Sequence, residues 1–274
     1  MHSSPIVIKI GGTALEDRSS APMVWTAVAK LHTQHPGGVV LLHGGGKAVD
    51  RHLDRLGFTT ERRDGIRITP SEQIEEITAV LAGKINKSIV QQLNTLGINA
   101  VGLCLGDGAM LKTVKSTKYA FDPGRVGEVI ADPSRKSELL PLLLTAGFLP
   151  VLSSIGMDEL GFLNLNADDA AAGIAASLGA KALVLLTDVP GIFDETKTVA
   201  REMDSDRIES LVASGHIVGG MIVKARAAAA TAISTGVPVV ILSGNDPSAI
   251  GDWASGKPVG TRILSTPPKV GSAT

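Results

Sequence analysis

The chain has a single cysteine, Cys104, in 274 residues. It can form no internal disulfide and build no cysteine-rich zinc site. Aromatic side chains make up only 3% of it, too few for a stacking platform along single-stranded nucleic acid. Neither sign of charge dominates: 26 Lys and Arg against 27 Asp and Glu leave a formal net charge of −1. No basic block supplies the electrostatic footprint of a nucleic-acid binder. No apolar run approaches the roughly 20 residues of a membrane span. The N-terminus lacks the charged and apolar regions of a secretory signal. The expectation is a soluble, cytoplasmic protein without nucleic-acid or membrane partners.

What the chain does have is aliphatic. Hydrophobic residues reach 44%, mostly Ala, Val, Leu and Ile, enough for a sizeable core. The length suits one large domain or two tightly packed lobes. Short β-branched runs at 6–10, 39–43, 100–103, 149–153, 182–187 and 237–243 read as strands. They are continuously apolar, as parallel strands covered on both faces are. Helical patterns lie between most of them, so the class is α/β with a mostly parallel sheet. Cys104 reads as a buried strand residue.

Several helices carry their own punctuation. Residues 47–56 end at Gly57, and the alanine-rich run 225–233 ends at Gly236. Thr69-Pro70-Ser71-Glu72 has the form of a capping box, with apolar positions at helical spacing behind it as far as Gly97. Asn166 caps a helix through 170–178 that stops at Gly179. The polar, turn-rich stretch 112–132 reads as a β-hairpin or loop excursion projecting from the sheet. The small, polar tail 265–274 is expected to be disordered.

Four segments ask for an anion. In Gly219-Gly220-Met221-Ile222-Val223-Lys224, two glycines lead a lysine into a helix whose N-terminus already carries partial positive charge. Either the lysine reaches into water, or it converges with backbone N–H groups on a phosphate. Lys9 interrupts an apolar strand just before Gly11-Gly12. It sits either on a solvated edge strand or at the carboxyl end of its strand, where open α/β sheets bind ligands. His43-Gly44-Gly45-Gly46-Lys47 follows a strand and opens a helix, the layout of an anion cradle, although it is not a Walker motif. Arg67, in Gly65-Ile66-Arg67-Ile68-Thr69, is a surface arginine or a fork for a carboxylate. Asp168, in Asn164-Leu165-Asn166-Ala167-Asp168, falls in a helix first turn. It serves the helix dipole, orders cations such as Lys9 and Lys224, or lies near a bound metal.

Taken in order, these segments resemble the amino acid kinase superfamily, over nearly the whole chain from Ile6 to about Leu264. Within it they are most similar to members that use ATP to phosphorylate the γ-carboxylate of N-acetyl-L-glutamate in arginine biosynthesis. Gly83-Lys84-Ile85-Asn86-Lys87 and Ser153-Ser154-Ile155-Gly156 add to that likeness. The resemblance implies an open αβα sandwich, with a substrate-binding, dimerising N-terminal lobe over about 1–180 and an ATP-binding lobe over 181–274. It implies that Lys9 and Lys224 stabilise the transferring phosphoryl group and that Asp168 orients both. Gly45 and Gly46 would meet the γ-carboxylate and the phosphoryl, while Arg67 and Asn164 would hold the α-carboxylate and acetamido end. Gly11, Gly12, Asp188, Val189, Pro190, Gly191, Ile192, Phe193, His216, Ile217 and Val218 would hold the nucleotide. Pro190 stands where other members vary. Mg²⁺ would travel with the ATP phosphates, with no direct protein ligand assigned.

Two alternatives stay open at this level. One is a sister kinase acting on another carboxylate, such as a carrier-linked aminoadipate or aspartate. The other is an ATP- or amino-acid-sensing subunit without catalysis. The resemblance also associates arginine inhibition and hexamers with a helix ahead of the first strand. Residues 1–5 are too few for one, so the expectation is a homodimer that arginine does not inhibit, in contact through the helical stretch 69–96.

Overall fold

The computed structural model describes residues 3–11, 21–63, 65–130, 138–246 and 248–265. Gly12, Asp64 and the tail 266–274 lie outside the described residues, as do 131 and 132 at the end of the expected excursion. In chain order the strands are β1 (Ile6–Ile10), β2 (Val39–His43), β3 (Arg62–Arg63), β4 (Ile66–Arg67), β5 (Ala100–Cys104), β6 (Lys112–Lys115), β7 (Val126–Ile130), β8 (Leu149–Ser153), β9 (Ile155–Asp158), β10 (Gly161–Leu165), β11 (Ala182–Thr187), β12 (Glu202–Met203), β13 (Val239–Ser243) and β14 (Thr261–Ile263). The α-helices are α1 (Ala21–Gln34), α2 (Gly46–Arg55), α3 (Ile74–Thr78), α4 (Asn86–Thr95), α5 (Leu139–Thr145), α6 (Ala167–Leu178), α7 (Ser205–Ala213), α8 (Gly220–Thr235) and α9 (Ala249–Ala254).

Eight strands form the main sheet in the order β12-β14-β13-β11-β1-β2-β8-β5. From β13 to β5 every pairing is parallel, and β14 alone runs against its neighbour β13. Side chains alternate across these strands. Val7, Val40, Leu42 and Leu183 face one layer, where they meet the alanine faces of α6 and α8 and the apolar side of α7. Ile6, Ile8, Ile10, Leu41 and Val184 face the other, against α1, α4 and α9. This is the expected αβα sandwich. The alternation puts Lys9 on the face of Val7, at the carboxyl end of a strand in the middle of the sheet.

A second sheet, in the order β6-β7-β10-β9, stands apart from the first. It contains the expected excursion, with β6 and β7 antiparallel, and a β9–β10 hairpin that was not expected from the sequence.

The capping box does not form. The helix starts at Ile74, and its N-cap Gln73 makes no side-chain cap bond. Thr69 is fully buried and bridges Gly124. Its hydroxyl donates to the Arg67 carbonyl at 3.1 Å. A buried hydroxyl takes the partner that tertiary packing supplies, so Thr69 serves the β10 side of the site instead of a helix end. The helix that follows is not uniform: between α3 and α4 runs a π-helix, Ala79–Ile85.

Candidate active site

A cleft opens at the carboxyl ends of β1, β2 and β11. On one side of it is a cavity of about 500 Å³ lined by Lys9, Gly11, Lys47, Asn166, Asp168, Asp188, Val189 and Lys224, with Leu183, Leu185, Met221 and Ile241 forming an apolar wall. On the other is a smaller cavity of about 250 Å³ lined by Gly44, Gly45, Gly46, Arg67, Asn164 and Ser154. Asn166 and Asp169 border both, so the two chambers adjoin at the start of α6.

Local sequence explains how these groups are presented. The Asn166 side chain accepts from the backbone N–H groups of Asp168, at 2.7 Å, and Asp169, at 3.3 Å. That fixes the first turn of α6 and aims Asp168 at the sheet. Asp168 Oδ1 lies 2.9 Å from Lys9 Nζ. Gly11 makes room for that ammonium, since a Cβ there would come within 2.8 Å of Lys9 Nζ. Gly219 caps α8 with φ 58° and ψ −137°, a backbone that suits glycine. The helix begins at Gly220, which puts Lys224 at the start of the second turn.

Lys224 does not pair with Asp168. Its Nζ donates to Asp188 Oδ1 at 2.5 Å, and this bond holds the Asp188 carboxyl below the usual carboxylate range. The site thus has two lysine–aspartate pairs, Lys9–Asp168 and Lys224–Asp188, where the sequence suggested one aspartate for both lysines. Asp188 was expected only as a nucleotide contact. Its position just after a strand was visible in sequence, but its partner was not.

In the smaller chamber Arg67 is buried, only 6% exposed. It ion-pairs with Asp50 Oδ1 at 2.5 Å and donates to the Gly46 carbonyl at 2.9 Å. Burial alone would raise the Asp50 pKa. The Arg67 and Arg62 contacts outweigh it and hold the group below its ordinary value. Asn164 Nδ2 donates to Thr69 Oγ1 at 3.1 Å, which ties β10 to the Arg67 segment. Ser116, Lys118 and Tyr119 of the excursion also line this chamber. The sequence pointed to none of these three as site residues, and to Asp50 only as part of the motif that follows the glycine loop, without a role. The i, i+3 spacing of Lys47 and Asp50 on one helix was the available signal.

The chambers bring together Lys9, Gly11, Asp168, Asp188, Val189 and Lys224 on one side, and Gly45, Gly46, Arg67 and Asn164 on the other. Among the described residues, the larger chamber's walls do not include Pro190, Gly191, Phe193, His216 or Val218. Ile192 and Ile217, also expected at the nucleotide, have their side chains buried in the core. The Ile192 N–H donates to Thr261 Oγ1, and its carbonyl accepts from Ala200. Among the described residues there is no group of three or more His, Cys, Asp or Glu side chains that could hold a metal ion.

Residues 4–243 match the model of the amino acid kinase family. The acetylglutamate kinase of Proteus mirabilis (strain HI4320) is 41% identical over 262 residues, which cover 95% of this chain and 99% of that one. The N-acetylglutamate synthase from Neisseria gonorrhoeae, solved with coenzyme A and N-acetyl-glutamate, superposes with a TM-score of 0.79 at 22% identity, over 97% of this chain and 61% of that one. The carbamate kinase from Giardia lamblia bound to AMP-PNP gives 0.67 at 20% identity, over 96% and 99%. The last two are likenesses of fold.

Proposed function

The chain belongs to the amino acid kinase family, and from that premise we propose that it transfers the γ-phosphoryl group of ATP to the γ-carboxylate of N-acetyl-L-glutamate. The observation that carries this reading is the pair of adjoining chambers at the carboxyl end of the sheet. One has an apolar wall and two lysines, and the other has a buried arginine beside a glycine loop. Identity of 41% to an acetylglutamate kinase over 95% of the chain supports the same substrate.

The nucleophile is a carboxylate, already ionised at neutral pH, so the reaction needs no general base. Its oxygen forms a bond to the γ-phosphorus as the bond to the bridging oxygen breaks and ADP leaves. The difficulty is electrostatic, and phosphoryl transfer is catalysed mainly by positioning and charge stabilisation. We assign Lys9 and Lys224 to the transferring phosphoryl group, each held in place by its own aspartate. Gly45 and Gly46 receive the γ-carboxylate and the phosphoryl oxygens. Arg67 and Asn164 receive the α-carboxylate and acetamido end. Gly11, Asp188 and Val189 border the nucleotide. Mg²⁺ carried by the ATP phosphates would supply charge neutralisation there, with no direct protein ligand assigned.

The same reading divides the chain into a substrate lobe over about 1–180 and a nucleotide lobe over 181–274, in a cytoplasmic homodimer joined through the first. A coupled ADP-release assay comparing N-acetyl-L-glutamate with glutamate and aspartate tests it. Release dependent on the acetylated acid is expected. Equal or greater release with aspartate, or ATP binding without turnover, would overturn it.

A further inference from the structure

The π-helix Ala79–Ile85 ends where α4 begins, and the residue at that junction, Asn86, is completely buried although it is polar. Its Nδ2 donates to the Val151 carbonyl of β8 at 2.9 Å and contacts His43 Nε2 at 3.2 Å. Since a carbonyl can only accept, the nitrogen must point this way, and His43 must present a lone pair at Nε2. The imidazole proton is then on Nδ1, which lies 3.0 Å from the Gly44 carbonyl and donates to it. His43 is itself fully buried.

The glycine loop is thus gripped from several sides. The Gly44 N–H donates to the Ile10 carbonyl of β1 at 3.0 Å, and the Gly44 carbonyl is held by His43. Gly45 is pressed by the π-helix: a Cβ there would sit 2.3 Å from Ile85 Cδ1 and 3.0 Å from Leu81 Cδ2. In a regular α-helix, positions five apart such as 81 and 86 diverge by about 140°. The wider π turn narrows that divergence, so Leu81, Ile85 and Asn86 can all bear on the loop and on His43.

This arrangement carries a cost that packing alone does not explain. Asn86 Oδ1 is buried with no hydrogen-bond partner. A Cβ on Gly102 would come within 1.9 Å of it, so β5 keeps a glycine where this side chain lies. A leucine would fill such a site without an orphaned acceptor.

Resting on the kinase reading above, we infer that Asn86 is a positioning residue. Acting through the His43 imidazole, it fixes the backbone of Gly44–Gly46 at the point where the phosphoryl group passes between substrates. It touches neither substrate itself. Misplacing a preorganised donor by a fraction of an ångström weakens transition-state stabilisation more than ground-state binding.

Asn86→Ser keeps a small polar group while breaking the reach to His43. It should lower kcat by about 10- to 100-fold, with KM for ATP and for N-acetyl-L-glutamate within about threefold of wild type. Lys87→Ala is the comparator. Lys87 also ties the start of α4 to β5, through the Gly102 carbonyl at 3.0 Å, but has no bond to His43, and its kcat should stay within twofold of wild type. His43→Asn retains a donor for Gly44 and severs the link to Asn86, so the two losses should not multiply in the double variant. ¹⁵N NMR of the histidine rings should find His43 as the neutral Nδ1–H tautomer in the wild type. Multiplicative losses, a wild-type kcat in folded Asn86→Ser, an equal loss in Lys87→Ala, or an Nε2–H tautomer would each overturn the inference. If Asn86→Ser fails to fold, the tautomer and the His43→Asn kinetics decide it. A wild type inactive on the acetylated acid would sink the kinase reading before any variant was compared, whereas variants matching an active wild type would sink this inference alone.

Discussion

At the residue scale the two lysines share a proposed role but not a setting. Lys9 is 16% exposed on a central strand, and its partner Asp168 is 56% exposed. Lys224 and Asp188 are 44% and 58% exposed. The second pair is open to water on both sides and the first on its aspartate, and such pairs contribute about 0–1 kcal/mol to stability. Removing either lysine also strands no buried charge, because both aspartates reach solvent. Lys9→Ala and Lys224→Ala should therefore each lower kcat by about 10²- to 10³-fold while the urea midpoint hardly moves. Wild-type kcat in either variant would remove that lysine from the mechanism. His43, beyond the positioning inferred above, also has an effect on stability. Burial lowers its pKa from 6.5 to about 4. The folded value lies below the unfolded one, so the neutral ring's contribution is intact above pH 6.5 and is lost as pH falls toward 4. By pH 5 the loss from this residue is about 2 kcal/mol. Urea denaturation at pH 7.5 and pH 5 should show a smaller drop in His43→Asn than in wild type, and equal drops would mean the ring is not buried neutral.

Elements were legible where local chemistry and tertiary packing agree. Continuous aliphatic runs gave the parallel strands within two residues of their bounds, because strands covered on both faces need nothing else. Gly57, Gly179 and Gly236 marked helix ends correctly, each with positive φ. The capping box at Thr69 misled because the same residue types satisfy a helix end or a buried network equally well, and only the fold decides which. The π-helix was invisible because its cause lies in what it packs against, not in its own residues. The second aspartate, Asp188, was missed as the partner of Lys224 because 36 residues of chain separate two groups that only the sheet brings together. Asn166 is the case where local and global roles coincide: it caps α6 and borders both chambers. Asn166→Ala should cost about 1 kcal/mol, whereas Asn166→Asp, which still accepts from the same N–H groups, should cost far less. Chemical denaturation of the two variants separates them, and equal losses would show that the cap adds nothing.

On the scale of the whole molecule the sheet has two unlike edges. One closes on β12, only two residues long, a short edge of the kind that discourages further pairing. The other ends on β5, five residues long and half-buried throughout. Elements at that end also expose apolar side chains: Leu96 after α4 is 44% exposed, Leu142 on α5 is 65% exposed, and Phe148 ahead of β8 is 37% exposed. A long strand edge beside scattered apolar groups is what a two-fold partner would cover, and a two-fold axis lets each copy present the same patch to the other. This end belongs to the proposed substrate lobe, which leaves the cleft on the carboxyl side of the sheet open in both copies. Light scattering at micromolar concentration should give twice the chain mass. Leu96→Asp and Leu142→Asp each place a charge in the patch proposed for the interface, and the double variant should weaken association by at least about 100-fold, equivalent to 2.7 kcal/mol. It should run as a monomer with its circular dichroism unchanged, because both side chains already face solvent within one copy. A wild-type monomer would overturn the assignment, and a dimer that tolerates both charges would move the interface to another face.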